Sequence, residues 1–329
     1  MNAVRIAAGF AVVVALAVAA LTAPRTFAEV ARGFGRLSGA NPLLLGAAAL
    51  GFLASSVSSV CAWRTGLLAC GVRLPVRPIA WRYAVGGLAS TFSPAPAGEA
   101  VRIALVSRLV PAGGRAFTVT GIWATVGSVR AILTGSLFVG ATLTLPAGAR
   151  SGLLLSGAVV IAAATLYFLR HKLHASRIAR LADAARGLVR APRLAAALLA
   201  CVAAGIGARV LAAGCCAAAL GVGHPWAAGF VIVAVLEIAT MIPLSPGNIG
   251  VTTAAVALAL QHRHVTLAPA VATGIALHAV ETLVGVTFGV AGVFALGSRT
   301  VRRRIAVAAL VPGLAALAGL LGVWVVDLA

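Results

Sequence analysis

Apolar runs long enough to cross a bilayer follow one another along most of this chain, and they dictate what it can fold into. They lie at about 4–23, 42–70, 117–145, 151–170, 194–220, 267–296 and 304–326. A spanning helix needs ~20 apolar residues to cross a hydrocarbon core of ~30 Å. The expected fold class is therefore an all-α integral membrane protein of about seven transmembrane helices, 1–329 forming a single membrane domain. Composition agrees: 61% of the 329 residues are hydrophobic and only 10% charged, against about half and a quarter in a soluble domain. Aromatics are sparse, and abundant Gly and Ala let helix backbones approach closely in lipid. The run after Arg5 is longer than the apolar region of a signal peptide, and no small-x-small cleavage site follows it. It reads as a first transmembrane helix.

Two further apolar segments are interrupted. The first, about 78–109, breaks at Ser93-Pro94-Ala95-Pro96-Ala97-Gly98; the second, about 226–262, breaks at Pro243-Leu244-Ser245-Pro246-Gly247-Asn248-Ile249-Gly250. Proline removes a backbone donor and pushes the residue before it out of the helical region. Each remaining piece is roughly 10 to 17 residues, too short to span at ~1.5 Å per residue. Each interrupted segment is therefore expected to be a broken, re-entrant helical hairpin.

The two breaks are related. Ser93-Pro94 and Ser245-Pro246 lie 152 positions apart, as do Gly98 and Gly250, and Thr120-Gly121-Ile122 recurs as Thr273-Gly274-Ile275. The implied unit is helix, broken hairpin, helix. The organisation expected is an N-terminal helix and loop over 4–36, unit 1 over 42–145, a connecting helix and basic loop over 151–193, unit 2 over 194–296, and a C-terminal helix over 304–329.

The net charge of +20 comes from 26 basic residues against six acids. The arginines cluster between apolar runs instead of forming one soluble face, which argues against nucleic acid. Cytoplasmic loops carry such clusters, facing anionic lipid. The basic stretch 170–193 is a candidate contact for anionic inner-leaflet lipids, and together with Arg299, Arg302, Arg303 and Arg304 it fixes a topology. The N-terminus is expected in the cytoplasm and the C-terminus outside, in the cell (cytoplasmic) membrane. Segment 42–70 then runs inward and 194–220 outward, so the units are inverted. Loop 24–41, with Arg25, Arg32 and Arg36, fits this map poorly. Inverted repeats with interrupted helices meeting near mid-span mark transporters.

Ionisable residues within spans are costly and mark function. Glu99 and Arg102 share a helix face after the first break; Arg130 and Arg209 sit in the middle of long spans; Glu237 precedes the second break; His278 and Glu281 share a face in the last repeat helix. Mutual neutralisation, for example of Arg209 by Glu281, is the purely structural alternative. Free N–H groups at the broken helix ends suit an anion such as phosphate. Cys61, Cys70, Cys201, Cys215 and Cys216 lie in apolar stretches without metal-ligand spacing; no metal or cofactor is expected. No Gly-rich phosphate loop or Ser–His–Asp arrangement is present, and the chain is not expected to be an enzyme.

The sequence Ser90-Thr91-Phe92-Ser93-Pro94-Ala95-Pro96-Ala97-Gly98-Glu99-Ala100-Val101-Arg102 resembles the first motif, Pro then Gly-Glu then Arg, of the flippase-like family that includes the membrane region of lysylphosphatidylglycerol synthases. Pro243-Leu244-Ser245-Pro246-Gly247-Asn248-Ile249-Gly250-Val251 resembles its second, Pro-x-Ser-Pro-Gly-Gly-x-Gly-Val. The resemblance covers about residues 40–300. It implies movement of a lipid or lipid-linked headgroup between leaflets, with Ser93, Pro94, Gly98, Glu99, Arg102, Arg130, Arg209, Glu237, Ser245, Pro246, Gly247, Asn248, Gly250, His278 and Glu281 as substrate-binding residues. The synthase activity of that family belongs to a separate soluble domain, not expected in these residues, so the enzyme is not carried over. Three positions depart from the pattern: Asn248 stands for a second Gly, Thr253 for an acid, and Val129 for the Glu of a Glu-Arg pair. Alternative readings are a membrane-embedded lipid or glycosyl transferase with Glu99 as base, or a noncatalytic partner of one. A second copy of the chain is a further candidate partner.

Overall fold

The computed structural model describes residues 31–92, 95–111, 115–143, 186–239 and 249–297. The helices expected at 4–23, 151–170 and 304–326, most of the basic stretch, and Ser93, Pro94 and Ser245 to Asn248 at the breaks lie outside them. The described residues form eight principal helices: α1 (Pro42–Ala69), α2 (Val76–Phe92), α3 (Ala95–Ser107), α4 (Arg115–Leu143), α5 (Pro192–Ala219), α6 (Pro225–Ala239), α7 (Ile249–Gln261) and α8 (Leu267–Leu296). Both interrupted segments are split as their prolines require. The four pieces are 17, 13, 15 and 13 residues long. Stretches within α1, α4, α5 and α8 are long and apolar enough to cross a membrane, and shorter apolar helices lie at Pro225–Glu237 and Gly250–Gln261. The molecule is a multi-pass helical membrane protein.

Local chemistry starts and stops these helices. Asn41 Oδ1 accepts from the Leu43 and Leu44 amides at the head of α1, and Pro42 supplies a preset φ there. At its tail Gly71 takes φ +77°, and the Val72 amide reaches back to Leu67 O at 2.9 Å. The tail of α5 is built alike: Gly221 has φ +72°, and Val222 N donates to Ala217 O at 3.0 Å. Both are left-handed caps in which the amide two past the cap satisfies an orphan carbonyl.

Small residues decide which helices touch. α1 and α5 pack antiparallel. A Cβ on Gly51 would lie 2.9 Å from Ala212 Cβ, and one on Gly205 would lie 3.4 Å from Ser58 Cβ. At the end of this seam Asn41 N donates to Ala219 O at 3.1 Å. α2 and α3 form an antiparallel hairpin in which Gly86 meets Arg102 and Gly98 meets Ser90. The closing helix of each half crosses to the other half: α8 packs along α2, with Gly289 against Leu88 and Gly292 against Trp81, and α4 packs on α6. One core, including Phe52, Ile206, Val210, Ile232 and Leu277, joins α1 to the second half. Another, including Trp63, Leu67, Ile79, Val106 and Ile122, closes the first half. Leu43, Leu50, Ile132, Leu211 and Leu258 face outward, as a lipid-exposed surface requires.

The two ends differ in charge. Where α1 finishes and α5 begins, Gly187 lies against Ala69 O. This end carries Arg64, Arg73, Arg77, Arg82, Arg108, Arg186, Arg190 and Arg193. The opposite end, at the start of α1 and the tail of α7, carries Arg32, Arg36 and Arg263.

Candidate functional site

The ionisable residues singled out from sequence converge between the two halves. Arg130 is the sixteenth of 29 residues in α4, Arg209 the eighteenth of 28 in α5, and Glu281 the fifteenth of 30 in α8. All three therefore lie near mid-span. Glu237 sits close to the broken end of α6, and Glu99 and Arg102 on the first turns of α3. The hairpin turn of α2 and α3 folds these two back against α4. With His278, all seven line one cavity of about 470 Å³.

Within it the charges pair. Arg102 Nη1 is 2.5 Å from Glu99 Oε1, and its guanidinium lies over the Tyr83 ring, 4.1 Å from the centroid. Trp123 Nε1 donates to the other Glu99 oxygen at 3.0 Å. Arg130 grips Glu237 with two parallel hydrogen bonds, one of them Nε to Oε2 at 3.1 Å. Arg209 Nη2 is 2.9 Å from Glu281 Oε1, and its Nε is 4.0 Å from Glu237 Oε1. A chain of alternating charge thus runs Arg130–Glu237–Arg209–Glu281 and ties together α4, α6, α5 and α8. His278 stands beside it, its Nε2 at 3.3 Å from Thr282 Oγ1. The neutralisation anticipated for Arg209 and Glu281 is present and extends to all six groups.

The pairs are not sealed. Glu99, Arg130 and Glu281 keep 33%, 35% and 36% of their side-chain surface exposed. Arg102 Nε and Arg209 Nε are buried without a protein hydrogen-bond partner. Such a cavity can receive a polar group and offer it guanidinium donors.

Other expected residues fall elsewhere. Gly98 is a packing glycine: a Cβ there would lie 1.9 Å from Ser90 Oγ. Gly250 is exposed at the head of α7 with open space around it. Thr253 lies against Gly274 of α8, so that departure from the family pattern falls at a helix contact; its neighbour Thr252 lines the cavity. Several lining residues were missed by sequence reasoning, namely Ser55, Ser56, Tyr83, Ser90, Thr91, Trp123 and Thr282. The available signal was the cluster Ser55-Ser56 and Ser58-Ser59, four hydroxyls in the middle of an apolar span. A second cavity of about 150 Å³ shares Ser55, Tyr83, Glu99, Arg102, Arg130 and Arg209 with the first and continues among Ser59, Trp63, Trp123 and Cys201. Among the described residues no group of His, Cys, Asp and Glu could hold a metal ion, and the five cysteines form no disulfide.

No curated protein and no solved structure matches the chain. The family model described as the lysylphosphatidylglycerol synthase TM region matches residues 6–289, nearly the whole sequence and all of the cavity. The chain therefore belongs to the family of lysylphosphatidylglycerol synthase transmembrane regions, membrane domains associated with lipid modification or transport.

Proposed function

We propose that this protein moves a lipid or lipid-linked headgroup between membrane leaflets, without being an enzyme itself. The observation that carries the reading is the convergence of three arginines, three glutamates and a histidine, drawn from both halves, on one unsealed cavity at mid-span. The headgroup would enter the cavity while its acyl chains stay in the bilayer. Group transfer with Glu99 as base is less well supported, because both oxygens of that carboxylate already accept hydrogen bonds, from Arg102 and Trp123.

The halves are read as an inverted repeat. Helix lengths of 28, 17, 13 and 29 residues in the first half parallel 28, 15, 13 and 30 in the second. The antiparallel packing of α1 and α5, the first long helix of each half, supports opposite membrane orientations for the halves. Among the described residues, arginines are more numerous at the end where α1 finishes and α5 begins, which supports reading that end as cytoplasmic. That end and the basic stretch 170–193 would contact anionic inner-leaflet lipids.

Reconstitution into vesicles with fluorescent anionic, zwitterionic and cationic lipids tests the function. Wild type is expected to exchange at least one class between leaflets, and folded Glu99→Gln and Arg102→Ala variants are expected to lose it. Equal exchange by wild type and both variants refutes the site. For orientation, Arg73→Cys in a cysteine-free background should label from the cytoplasm and Gly223→Cys from outside.

A further inference from the structure

The fixed charges of the cavity cancel: three guanidiniums and three carboxylates, in contacting pairs. His278 is the lining side chain whose ordinary pKa, ~6.5, lies near neutrality. Arginine stays protonated, and each carboxylate faces an arginine. The imidazole is outside the ion-pair chain and meets the Thr282 hydroxyl instead. A hydroxyl can accept from an imidazolium N–H or donate to a bare ring nitrogen, so this partner suits both protonation states. The groups around the cavity are Glu281 on the same helix, Arg209 from α5, Glu237 from α6, Arg130 from α4, Glu99 and Arg102 from α3, and Tyr83 from α2. The polar groups that α1 and α7 supply are hydroxyls, those of Ser55, Ser56 and Thr252.

We infer that His278 takes up a proton when the cavity receives a headgroup of one net negative charge, a phosphodiester monoanion. The inference rests on the reading that the cavity receives a lipid headgroup. A monoanion entering a neutral cavity at mid-span leaves one uncompensated charge where solvent screening is weak. One proton from water, bound at the imidazole, restores neutrality. A zwitterionic headgroup brings no net charge and needs no proton. The protonation state of His278 therefore selects the charge class of the lipid. At an effective dielectric of ~20, a unit charge within ~12 Å changes affinity about tenfold.

Calorimetry on the full-length protein in neutral detergent tests this with short-chain phosphatidylglycerol and phosphatidylethanolamine as probes. Two buffers of different ionisation enthalpy are used at each pH. Phosphatidylglycerol affinity is expected to rise about tenfold from pH 8 to pH 5.5, with proton uptake at neutral pH. Phosphatidylethanolamine affinity is expected to stay level. His278→Gln, or His278→Asn if the first variant misfolds, is expected to flatten the pH response and abolish uptake. Absence of uptake in wild type overturns the inference without recourse to any variant, as does an unchanged pH response in a folded variant. Equal binding of glycerophosphoglycerol, the same headgroup without acyl chains, overturns the assignment to a lipid. Binding is read apart from transport. A protein that binds with uptake but exchanges no lipid refutes the transport reading and leaves this one standing.

Discussion

Glu237 is the carboxylate on which the second-half network depends, and removing its charge has a calculable consequence. It accepts two hydrogen bonds from Arg130 and lies 4.0 Å from Arg209 Nε. Glu237→Gln keeps the shape and one acceptor but leaves the cavity at +1, with two guanidiniums sharing a neutral amide. Opposite charges ~4 Å apart are worth ~4 kcal/mol at an effective dielectric of ~20. Breaking a fully buried pair costs ~3–5 kcal/mol, whereas an exposed pair returns under ~1 kcal/mol. Here Glu237 is 17% exposed but Arg130 is 35% exposed, which places the expected loss between those limits, at ~2 kcal/mol. Adding Arg130→Gln removes the orphaned cation and returns the cavity to two positive and two negative charges. The double variant should therefore recover most of the loss, with a coupling energy of ~2 kcal/mol.

With Cys61, Cys70, Cys201 and Cys215 replaced by alanine, the buried thiol of Cys216 on α5 is a reporter of unfolding. Its reaction with a maleimide dye during a thermal ramp in detergent gives the midpoint for the wild type, both single variants and the double. The single Glu237→Gln variant is expected to fall by on the order of 5 °C, and the double to lie well above it. Losses that add within ~0.5 kcal/mol would show the two residues to be independent and would refute the charge chain.

The packing makes three further predictions. Gly229→Ala places a Cβ 2.5 Å from Val210 O and 2.9 Å from Gly214 N, both backbone atoms that cannot swing away; it should cost ~1–3 kcal/mol, measured in the same assay. Gly207→Ala on the exposed face of α5 meets nothing within 4 Å and should stabilise slightly, by ~0.5–1 kcal/mol, through helix propensity. Gly205→Cys with Ser58→Cys in a cysteine-free background should cross-link under mild oxidation, since the Cβ separation of 3.4 Å is close to the ~3.5–4.5 Å a disulfide needs; Ser58→Cys with Ala212→Cys should not, and the opposite result would refute the antiparallel seam.

Much of this arrangement was legible in the sequence, for physical reasons. The four long helices and the division of both interrupted segments into short helices followed from apolar run length and from Ser93-Pro94 and Pro243 to Gly250. Charge in a span is so unfavourable that its few occurrences pointed at the cavity. Packing glycines were less legible. Gly98 belongs to a recognisable motif, yet its role is to let Ser90 approach, and only the hairpin geometry reveals that. The matched caps at Gly71 and Gly221 escaped notice because single glycines carry little information in a chain with 37 of them. Tyr83 and Trp123 were missed because an aromatic in an apolar helix looks the same whether it faces lipid, core or cavity. The pairing of Arg130 with Glu237, 107 residues apart, needs the crossing of α4 onto the second half, which no local pattern encodes.

The distribution of acids weighs against a merely structural role for these pairs. The chain has six, and three of them, Glu29, Asp183 and Asp327, lie outside the described residues. The other three, Glu99, Glu237 and Glu281, are all the acids of the described residues, and every one lines the cavity. A charged residue at mid-span costs ~2.5–3.5 kcal/mol on insertion scales, whereas interhelical polar contacts in membranes return ~0.6 kcal/mol on average. Replacing a buried ion pair by apolar groups of similar volume is often neutral or stabilising. Helix adhesion would be served as well by Leu and Ala, which this chain has in abundance. Ion pairs kept only for adhesion would also be expected to close over, yet Glu99, Arg130 and Glu281 each leave about a third of their surface open to the cavity. The charges make physical sense as solvation for a polar group at mid-span, in keeping with the proposed movement of a headgroup, and equal numbers of both signs keep the cavity neutral overall.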